Sequence, residues 1–192
     1  MKKILIFNCN PNKESFSSEL AKKYFDGAVS SGADCKLINL IDLEFSLNLK
    51  YGYSKRMDFE EDLASVQKEI LDAEHLVFVY PNWWGTFPAL LKGFIDRVLL
   101  PGFAFKYREN SLLWDKLLIG RTARLIITMD TPKWYYYLVF KAPGVNAIKK
   151  GALQFCGINP VKTTLFGPVK TSTIEKRKNW LNNVFELGKK MK

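Results

Sequence analysis

The sequence predicts an α/β protein in which helices cover both faces of a doubly wound, five-stranded parallel sheet. Short apolar segments alternate with longer segments whose apolar residues recur at helical spacing, which is the order expected of βαβ units. One short segment, VFVY at residues 77–80, is apolar throughout, as are strands buried on both faces of a parallel sheet. With 192 residues and no internal repeat, the chain is expected to form one domain, residues 1–192.

Three strands and two helices are predicted in the first half of the chain. Leu20, Tyr24 and Ala28 share one face of the first helix, and Asp58 with Glu61 three residues later predicts a capped start for the second. Residues 41–57 show no clear period and are expected to be irregular. The predicted order is strand 3–9, helix 16–31, strand 35–40, a helix after residue 58 and strand 75–80.

Two further strands and three helices are predicted in the second half. Pro88 suits the first position of a helix, and an apolar stripe begins at Leu91 and continues through Phe94, Ile95 and Val98. Residues 101–120 form a long connection, and connections of that length are usually functional or partly structured. The remaining predicted elements are strand 124–129, helix 144–155, strand 160–166 and helix 173–191.

Composition narrows the class of protein. A hydrophobic content of 47% argues against a disordered chain. No apolar run is as long as a membrane span, so a cytoplasmic protein without a transmembrane segment is expected. Cys9, Cys35 and Cys156 lack the C-x-x-C spacing of a zinc site, and no metal is expected. His75, the only histidine, is predicted to be structural because it opens a buried strand.

The positive charge is concentrated near the end of the chain. The net charge is +10, and residues 142–192 carry ten Lys or Arg against Glu175 and Glu186, which is +8. A solvated lysine-rich helix explains this pattern, as does attraction of a phosphorylated dinucleotide or docking to an acidic membrane surface. Nucleic acid is not expected as a partner because no recognition motif is present.

The most distinctive segment is residues 77–105, VFVYPNWWGTFPALLKGFIDRVLLPGFAF. Pro81 cannot donate to a sheet ladder, so the strand is expected to stop there. The next residues place two indoles beside a glycine, just past the carboxyl end of a strand, where open α/β sheets bind ligands. Exposed aromatic surface is unfavourable, so a ligand or a partner is expected to cover it.

This segment resembles a known family. The string YPNWWGTFPALLKGFIDRV, continued by GFAF, is similar to the flavin-contacting segment of the flavodoxin-like NAD(P)H:quinone oxidoreductases. There, a Pro-x-x-Trp loop leads into a Pro-Ala-x-Leu-Lys-Gly helix that ends in Asp/Glu-Arg-Val. The resemblance implies a flavodoxin-like sheet of order 2-1-3-4-5, with the flavin where the first and third strands end. It also implies a homodimer whose aromatic loops complete each other's site.

The first loop, residues 10–17, is the candidate phosphate site. It is rich in hydroxyl and amide groups and ends at a helix start, which suits either a phosphate or an ordinary helix cap. The resemblance favours phosphate, because relatives often hold the flavin phosphate with a triplet like Ser15-Phe16-Ser17. Asn10 stands where relatives commonly carry a histidine, so its amide is expected to take over that hydrogen bonding. Lys13 is expected to add positive charge nearby.

The Trp loop, residues 81–86, is the candidate site for the flavin ring. The resemblance implies that its backbone N–H groups reach the polar edge of the ring. The residues expected to contact the flavin here are Pro81, Asn82, Trp83, Trp84 and Gly85.

The third loop starts at Thr128 and departs from the family pattern. Many relatives have Thr-Thr-Gly-Gly there, whereas this chain has Thr128-Met129-Asp130-Thr131. These four residues are expected to contact the ring. Because the glycines are missing, how closely the loop backbone approaches the ring is left open. An aspartate beside a reduced, anionic flavin is unfavourable unless it points away or is paired.

Four aromatic residues follow at 134–137, WYYY, on what is predicted to be a loop. Tyr136 matches a tyrosine that relatives place near ring and substrate, so the resemblance implies a catalytic phenol that donates a hydrogen bond. The other three rings are expected to pack on the sheet or on a second subunit.

The resemblance implies a flavin-dependent NAD(P)H oxidoreductase. NAD(P)H would give a hydride to flavin N5 and leave, and a quinone or similar small acceptor would then take the hydride by a ping-pong mechanism. FMN is favoured over FAD because the chain is short and shows no adenosine-binding segment. Two alternatives stay open. One is an ancillary regulatory subunit of a potassium efflux system, and the other is an electron-transfer flavodoxin, although flavodoxins are usually acidic.

Overall fold

The computed structural model describes residues 1–55 and 57–191. Within these residues the chain alternates between strands and helices, as the sequence predicts. The strands are β1 (Lys3–Asn8), β2 (Asp34–Asn39), β3 (His75–Pro81), β4 (Phe105–Tyr107), β5 (Trp114–Lys116), β6 (Thr122–Thr128) and β7 (Val161–Phe166). The α-helices are α1 (Phe16–Ser30), α2 (Glu61–Asp72), α3 (Ala89–Val98), α4 (Lys133–Leu138), α5 (Pro143–Asn146) and α6 (Ile174–Lys189). A 3-10 helix spans Leu40–Asp42, and a π-helix, Ala147–Gln154, continues α5.

The main sheet is parallel and has the order β2-β1-β3-β6-β7. Because β4 and β5 form a separate pair, this is the predicted order 2-1-3-4-5, and the predicted fold class is confirmed. All seven residues of β3 are buried. The strand includes Pro81, one residue more than predicted, and the next residue, Asn82, donates from its N–H to the Thr128 carbonyl at 2.7 Å.

Each face of the sheet carries its own apolar core. On the side of α2 and α3, the ring of Phe7 packs between Phe78 and Phe94 at centroid distances of 5.0 and 5.1 Å. On the other side, α1 and α6 pack so closely that a Cβ at Gly27 would lie 2.0 Å from the Phe185 carbonyl oxygen. These two helices therefore form one rigid layer behind the first loop, which leads into α1.

Two predictions about local structure are wrong. Asp58 does not cap α2: the helix begins at Glu61, Glu60 holds the cap position, and no side chain there bonds a helix N–H. The cause is a long-range contact, because Arg97 on α3 donates hydrogen bonds to the Glu60 carboxylate and to the Asp58 carbonyl. The aromatic run 134–137 is not a loop either, since it lies in α4, where Tyr136 is buried and its neighbours are exposed or nearly so.

The long connection at 101–120 is partly structured, one of the two outcomes expected. It contains the antiparallel hairpin of β4 and β5, in which Phe105 pairs with Lys116 and Tyr107 with Trp114. Trp114 stacks on Phe155 at 4.3 Å and donates its indole N–H to the Phe155 carbonyl. The hairpin is thus held on the π-helical segment that leads to β7.

Candidate functional site

The three predicted loops converge at the carboxyl edge of the central strands. The Cys9 N–H donates to the Val79 carbonyl at 2.8 Å, which joins the chain after β1 to β3. The Asn82 N–H donates to the Thr128 carbonyl, which joins the Trp loop to the end of β6. The Met129 N–H donates to the Phe166 carbonyl at 2.9 Å. The structure therefore brings the predicted loops together at one edge.

A network of short polar side chains shapes the first loop. Asn10, which is buried, donates from its side-chain amide to the Ser17 hydroxyl at 2.8 Å. The Ser15 hydroxyl lies 3.1 Å from that of Ser17, and it caps α1 by accepting the Ser18 N–H. These bonds hold two adjacent hydroxyl groups at the positive end of a fifteen-residue helix, where an anion is favoured.

Basic and aromatic residues from α6 adjoin this loop. The Arg177 guanidinium lies 5.9 Å from the centre of the Phe16 ring, and the Trp180 ring lies 6.0 Å from it. Lys13, by contrast, forms an ion pair with Asp42. The positive charge beside Phe16 thus comes from the carboxyl-terminal part of the chain and not, as predicted, from Lys13.

The Trp loop turns tightly and presents its second indole to solvent. Trp84 and Gly85 both have positive φ, 52° and 76°, as the central residues of a type I′ turn do. The Thr86 N–H closes the turn on the Trp83 carbonyl at 2.8 Å. A non-glycine residue with positive φ is strained, and the Trp84 side chain is fully exposed. The backbone at Trp84 is therefore strained in the conformation that holds its indole outside the core.

The Gly85 carbonyl connects the Trp loop to α4 and α5. It accepts the Tyr136 phenol at 3.1 Å and the Gly144 N–H at 3.2 Å. Gly144 permits this contact, because a Cβ there would lie 2.7 Å from the Thr86 Cα. Burial raises the pKa of Tyr136, so the phenol keeps its proton. The predicted catalytic tyrosine is therefore protonated and lies against the predicted ring-binding loop.

The unexpected residues of the third loop contact the segment after β7. Thr128 and Met129 are buried, and a Cβ at Gly167 would lie 2.9 Å from the Met129 side chain. The Asp130 carboxylate accepts the Lys170 N–H at 2.7 Å. Asp130 is thus paired with backbone from the segment after β7, which meets the condition stated for an aspartate in this place. Thr131 is half-buried before the start of α4.

Two buried polar atoms near the Trp loop have no partner within the described residues. They are the Asn82 side-chain oxygen and the Tyr80 hydroxyl. Buried polar groups are nearly always hydrogen-bonded, so unpaired ones at a sheet edge suit a ligand with polar groups. Burial raises the pKa of Tyr80 well above its usual value. Tyr80 is not among the predicted site residues, although a hydroxyl near the end of an apolar strand is a usable signal.

Other candidate chemistry is sparse in the part of the chain that the structure describes. There, no group of three or more His, Cys, Asp and Glu side chains could hold a metal ion. His75 is buried and its Nδ1 lies 2.6 Å from the Thr122 hydroxyl, consistent with the structural role predicted for it. No helix in these residues is long and apolar enough to cross a membrane.

A parallel sheet of this order, with loops that meet at the carboxyl edge of its central strands, defines the flavodoxin-like class. The family model for the flavodoxin-like fold matches residues 2–188, and the chain belongs to this family.

Named relatives agree with the predicted resemblance. An uncharacterized NAD(P)H oxidoreductase of Haemophilus influenzae is 29% identical over 171 residues, 86% of this chain and 83% of that one. A ribosyldihydronicotinamide dehydrogenase [quinone] of Rattus norvegicus is 24% identical over 98% of this chain and 93% of its own. These similarities confirm the predicted resemblance and support an oxidoreductase enzyme.

Among solved structures, an FMN-dependent NADH-azoreductase of Bacillus anthracis in complex with FMN superposes with a TM-score of 0.75. It is 21% identical and covers 100% of this chain and 99% of its own. At this level of identity the similarity concerns the fold.

Proposed function

We propose that this protein is a flavin-dependent NAD(P)H oxidoreductase that reduces a quinone or similar small acceptor. The observation that carries the proposal is the fully exposed Trp84, held on a strained turn at the carboxyl edge of the sheet. The unpaired polar atoms of Asn82 and Tyr80 nearby support it. The names of the two relatives and the azoreductase point to the same chemistry.

The residues at this edge fit a flavin mononucleotide. Asn10, Ser15 and Ser17 would hold its phosphate at the start of α1, with Phe16 and Arg177 beside them. The Trp loop and the third loop would hold the ring. When bound, the flavin supplies hydride transfer between nicotinamide and acceptor. FMN is favoured, and FAD remains the alternative.

The protein's own residues would position and protect the reactants. With the flavin stacked on the Trp84 indole, one pocket at the other face of the ring would serve both substrates, so the nicotinamide would leave before an acceptor enters, which gives a ping-pong order. The protonated Tyr136 phenol would donate a hydrogen bond to the acceptor oxygen as charge develops there. The Asp130 carboxylate would stay clear of the ring because it is held by the Lys170 backbone N–H.

In this proposal each chain is a single flavin-binding domain, and two chains form a homodimer. The dimer acts in the cytoplasm. Trp83, Trp134, Tyr137 and Leu138 have exposed fractions of 46%, 63%, 46% and 74%. So much apolar surface in one region is more than an isolated domain usually exposes. A symmetric second copy is the commonest way to cover it.

The first test is the cofactor itself. The purified protein is expected to show flavin absorbance, and mass spectrometry of the compound released by denaturation is expected to identify FMN. FAD would correct the choice of cofactor. Failure of the colourless protein to bind either flavin on addition would contradict the proposal.

Replacing Trp84 by alanine is expected to weaken flavin binding by roughly 1 to 3 kcal/mol, if stacking on the indole resembles the stacking of a nucleic-acid base. Quenching of flavin fluorescence during titration of the flavin-free protein measures this. Leu112→Ala is the matched control, because Leu112 is 98% exposed but lies at the β4–β5 hairpin. Equal affinities for the two variants would remove Trp84 from the site.

Dimer formation and kinetics provide a separate test. We expect a dimer in sedimentation at micromolar concentration, and activity that falls as dilution produces monomers. Double-reciprocal plots at several acceptor concentrations are expected to give parallel lines, since a ping-pong order separates the two substrates. A fully active monomer would refute the shared interface, and intersecting lines would refute the kinetic order.

A further inference from the structure

A cavity of about 510 Å³ lies away from the three loops. It borders the last turn of α3, whereas the Trp loop precedes the first turn, so the helix separates the two by about 15 Å at 1.5 Å per residue. Volumes in this range are typical of sites for small molecules. The apolar and aromatic residues in its lining are Leu49, Tyr53, Met57, Phe59, Leu100 and Phe103.

The roof of the cavity is a covering loop, residues 47–55 with Met57, whose two ends are fastened to α3. Arg97 donates from one guanidinium nitrogen to the Ser46 carbonyl at 2.9 Å and from the other to the Asp58 carbonyl at 3.0 Å. The same guanidinium forms an ion pair with Glu60 at 2.6 Å. A surface loop with its ends drawn together is an Ω-loop, a type that is often functional.

The covering loop is also supported from within. A Cβ at Gly93 of α3 would lie 2.7 Å from the Leu47 carbonyl oxygen, so the loop rests directly on the helix. The Lys50 N–H donates to the Met57 sulfur at 3.1 Å, which joins the two sides of the loop. The cavity therefore lies beneath a braced loop and is partly open to solvent.

The charge of the lining is positive. Among the described residues that line the cavity, Lys55 and Arg97 are the charged ones, and no carboxylate occurs. Arg97 is already bound to Ser46, Asp58 and Glu60, so Lys55 supplies the charge available to a ligand. Lys50 lies near Lys55, since both lysine ammonium groups lie within 5.5 Å of the Tyr51 ring centre.

We propose that this cavity binds a small planar aromatic anion, such as an aromatic carboxylate. The rings of Tyr53, Phe59 and Phe103 offer apolar and aromatic surface for a flat ring system. Lys55, with Lys50 nearby, offers a counter-charge to the acidic group. This site is separate from the proposed flavin site and does not depend on it.

The test uses 2-naphthoate and isothermal titration calorimetry on the purified protein with excess FMN present. One molecule is expected to bind per chain. Lys55→Gln is expected to weaken binding by about threefold to fivefold, the effect of losing one exposed charge pair. Lys178→Gln, an exposed lysine on α6, is the matched control and is expected to bind like the parent. The neutral 2-naphthylmethanol is expected to bind the parent and Lys55→Gln equally.

A variant that fills the cavity provides a second test of the proposal. Leu49→Trp is expected to abolish 2-naphthoate binding while leaving the flavin content unchanged. If this variant does not fold, the double variant Lys50→Gln/Lys55→Gln, which changes two exposed side chains, is expected to weaken binding further than Lys55→Gln alone.

Three outcomes would overturn the proposal: no saturable binding, binding that is unchanged in every cavity variant, or displacement of 2-naphthoate by FMN. Because flavin content is measured separately, failure here is distinguishable from failure of the proposed oxidoreductase function.

Discussion

Replacing Arg97 by alanine is expected to destabilise the protein by about 3 kcal/mol or more, because it breaks a buried ion pair and leaves its partners unsatisfied. The Arg97 side chain is 1% exposed and its partner Glu60 is 28% exposed. Although partial burial opposes ionisation of Glu60, hydrogen bonds from the Ser46 N–H and from Arg97 hold its pKa below the usual range. Urea unfolding of the parent and the variant measures the loss.

Lys92→Ala is the matched control on the same helix. Lys92 pairs with Asp96 one turn away, at 2.6 Å, in a pair that is open to solvent, since the two side chains are 57% and 33% exposed. Exposed pairs of this kind contribute about 0.3–0.5 kcal/mol. Arg97→Ala is also expected to release the covering loop, so cleavage by trypsin after Lys50 and Lys55 should accelerate. If the two variants shift the unfolding midpoint equally, Arg97 does not anchor the loop.

Stability is expected to fall in mild acid because of His75. Burial, together with the nearby cations Lys2, Arg124 and Lys162, lowers the pKa of His75 to about 3. The unfolded chain protonates this residue with an ordinary pKa near 6.5. Between these values the unfolded state binds more protons, so the free energy of unfolding decreases as the pH drops. The expected loss is about 2 kcal/mol between about pH 6.5 and about pH 4.5.

His75→Phe provides the control for this pH dependence. Phenylalanine keeps a ring beside Tyr24, whose ring centre lies 6.5 Å from that of His75, but it cannot titrate. Carboxylates titrate in both proteins, so the difference between their stability profiles isolates the histidine. Because the chain has one histidine, its imidazole NMR signal can also be followed directly. A signal that titrates near pH 6.5 in the folded protein would contradict the prediction.

The central strands and the Trp loop were predictable because their determinants are local. The apolar run of β3, the proline after it and the glycine beside two indoles all lie within a dozen residues. Sheet order followed from this pattern together with the family resemblance. The same holds for Ser15, whose role as the cap of α1 depends on a residue three positions later.

The remaining features depend on contacts between distant residues. The helix α2 starts later than predicted because Arg97, 37 residues after Glu60, binds the Glu60 carboxylate, which then does not cap the helix. The helix α4 was missed because four adjacent rings have no helical period, and only the contact of Tyr136 with Gly85, 51 residues away, selects the buried one. The Arg177–Phe16 contact joins opposite ends of the chain, which no local pattern reveals.

The shared acceptor at Gly85 bears on the catalytic role proposed for Tyr136. A phenol has one proton to give, so donating it to a substrate oxygen requires release of the Gly85 carbonyl. That carbonyl would not become an orphan, because the Gly144 N–H still satisfies it. The phenol would thus exchange one acceptor for another without leaving a polar group unpaired. The turn that presents Trp84 would keep its hydrogen bond from the Gly144 N–H during each turnover.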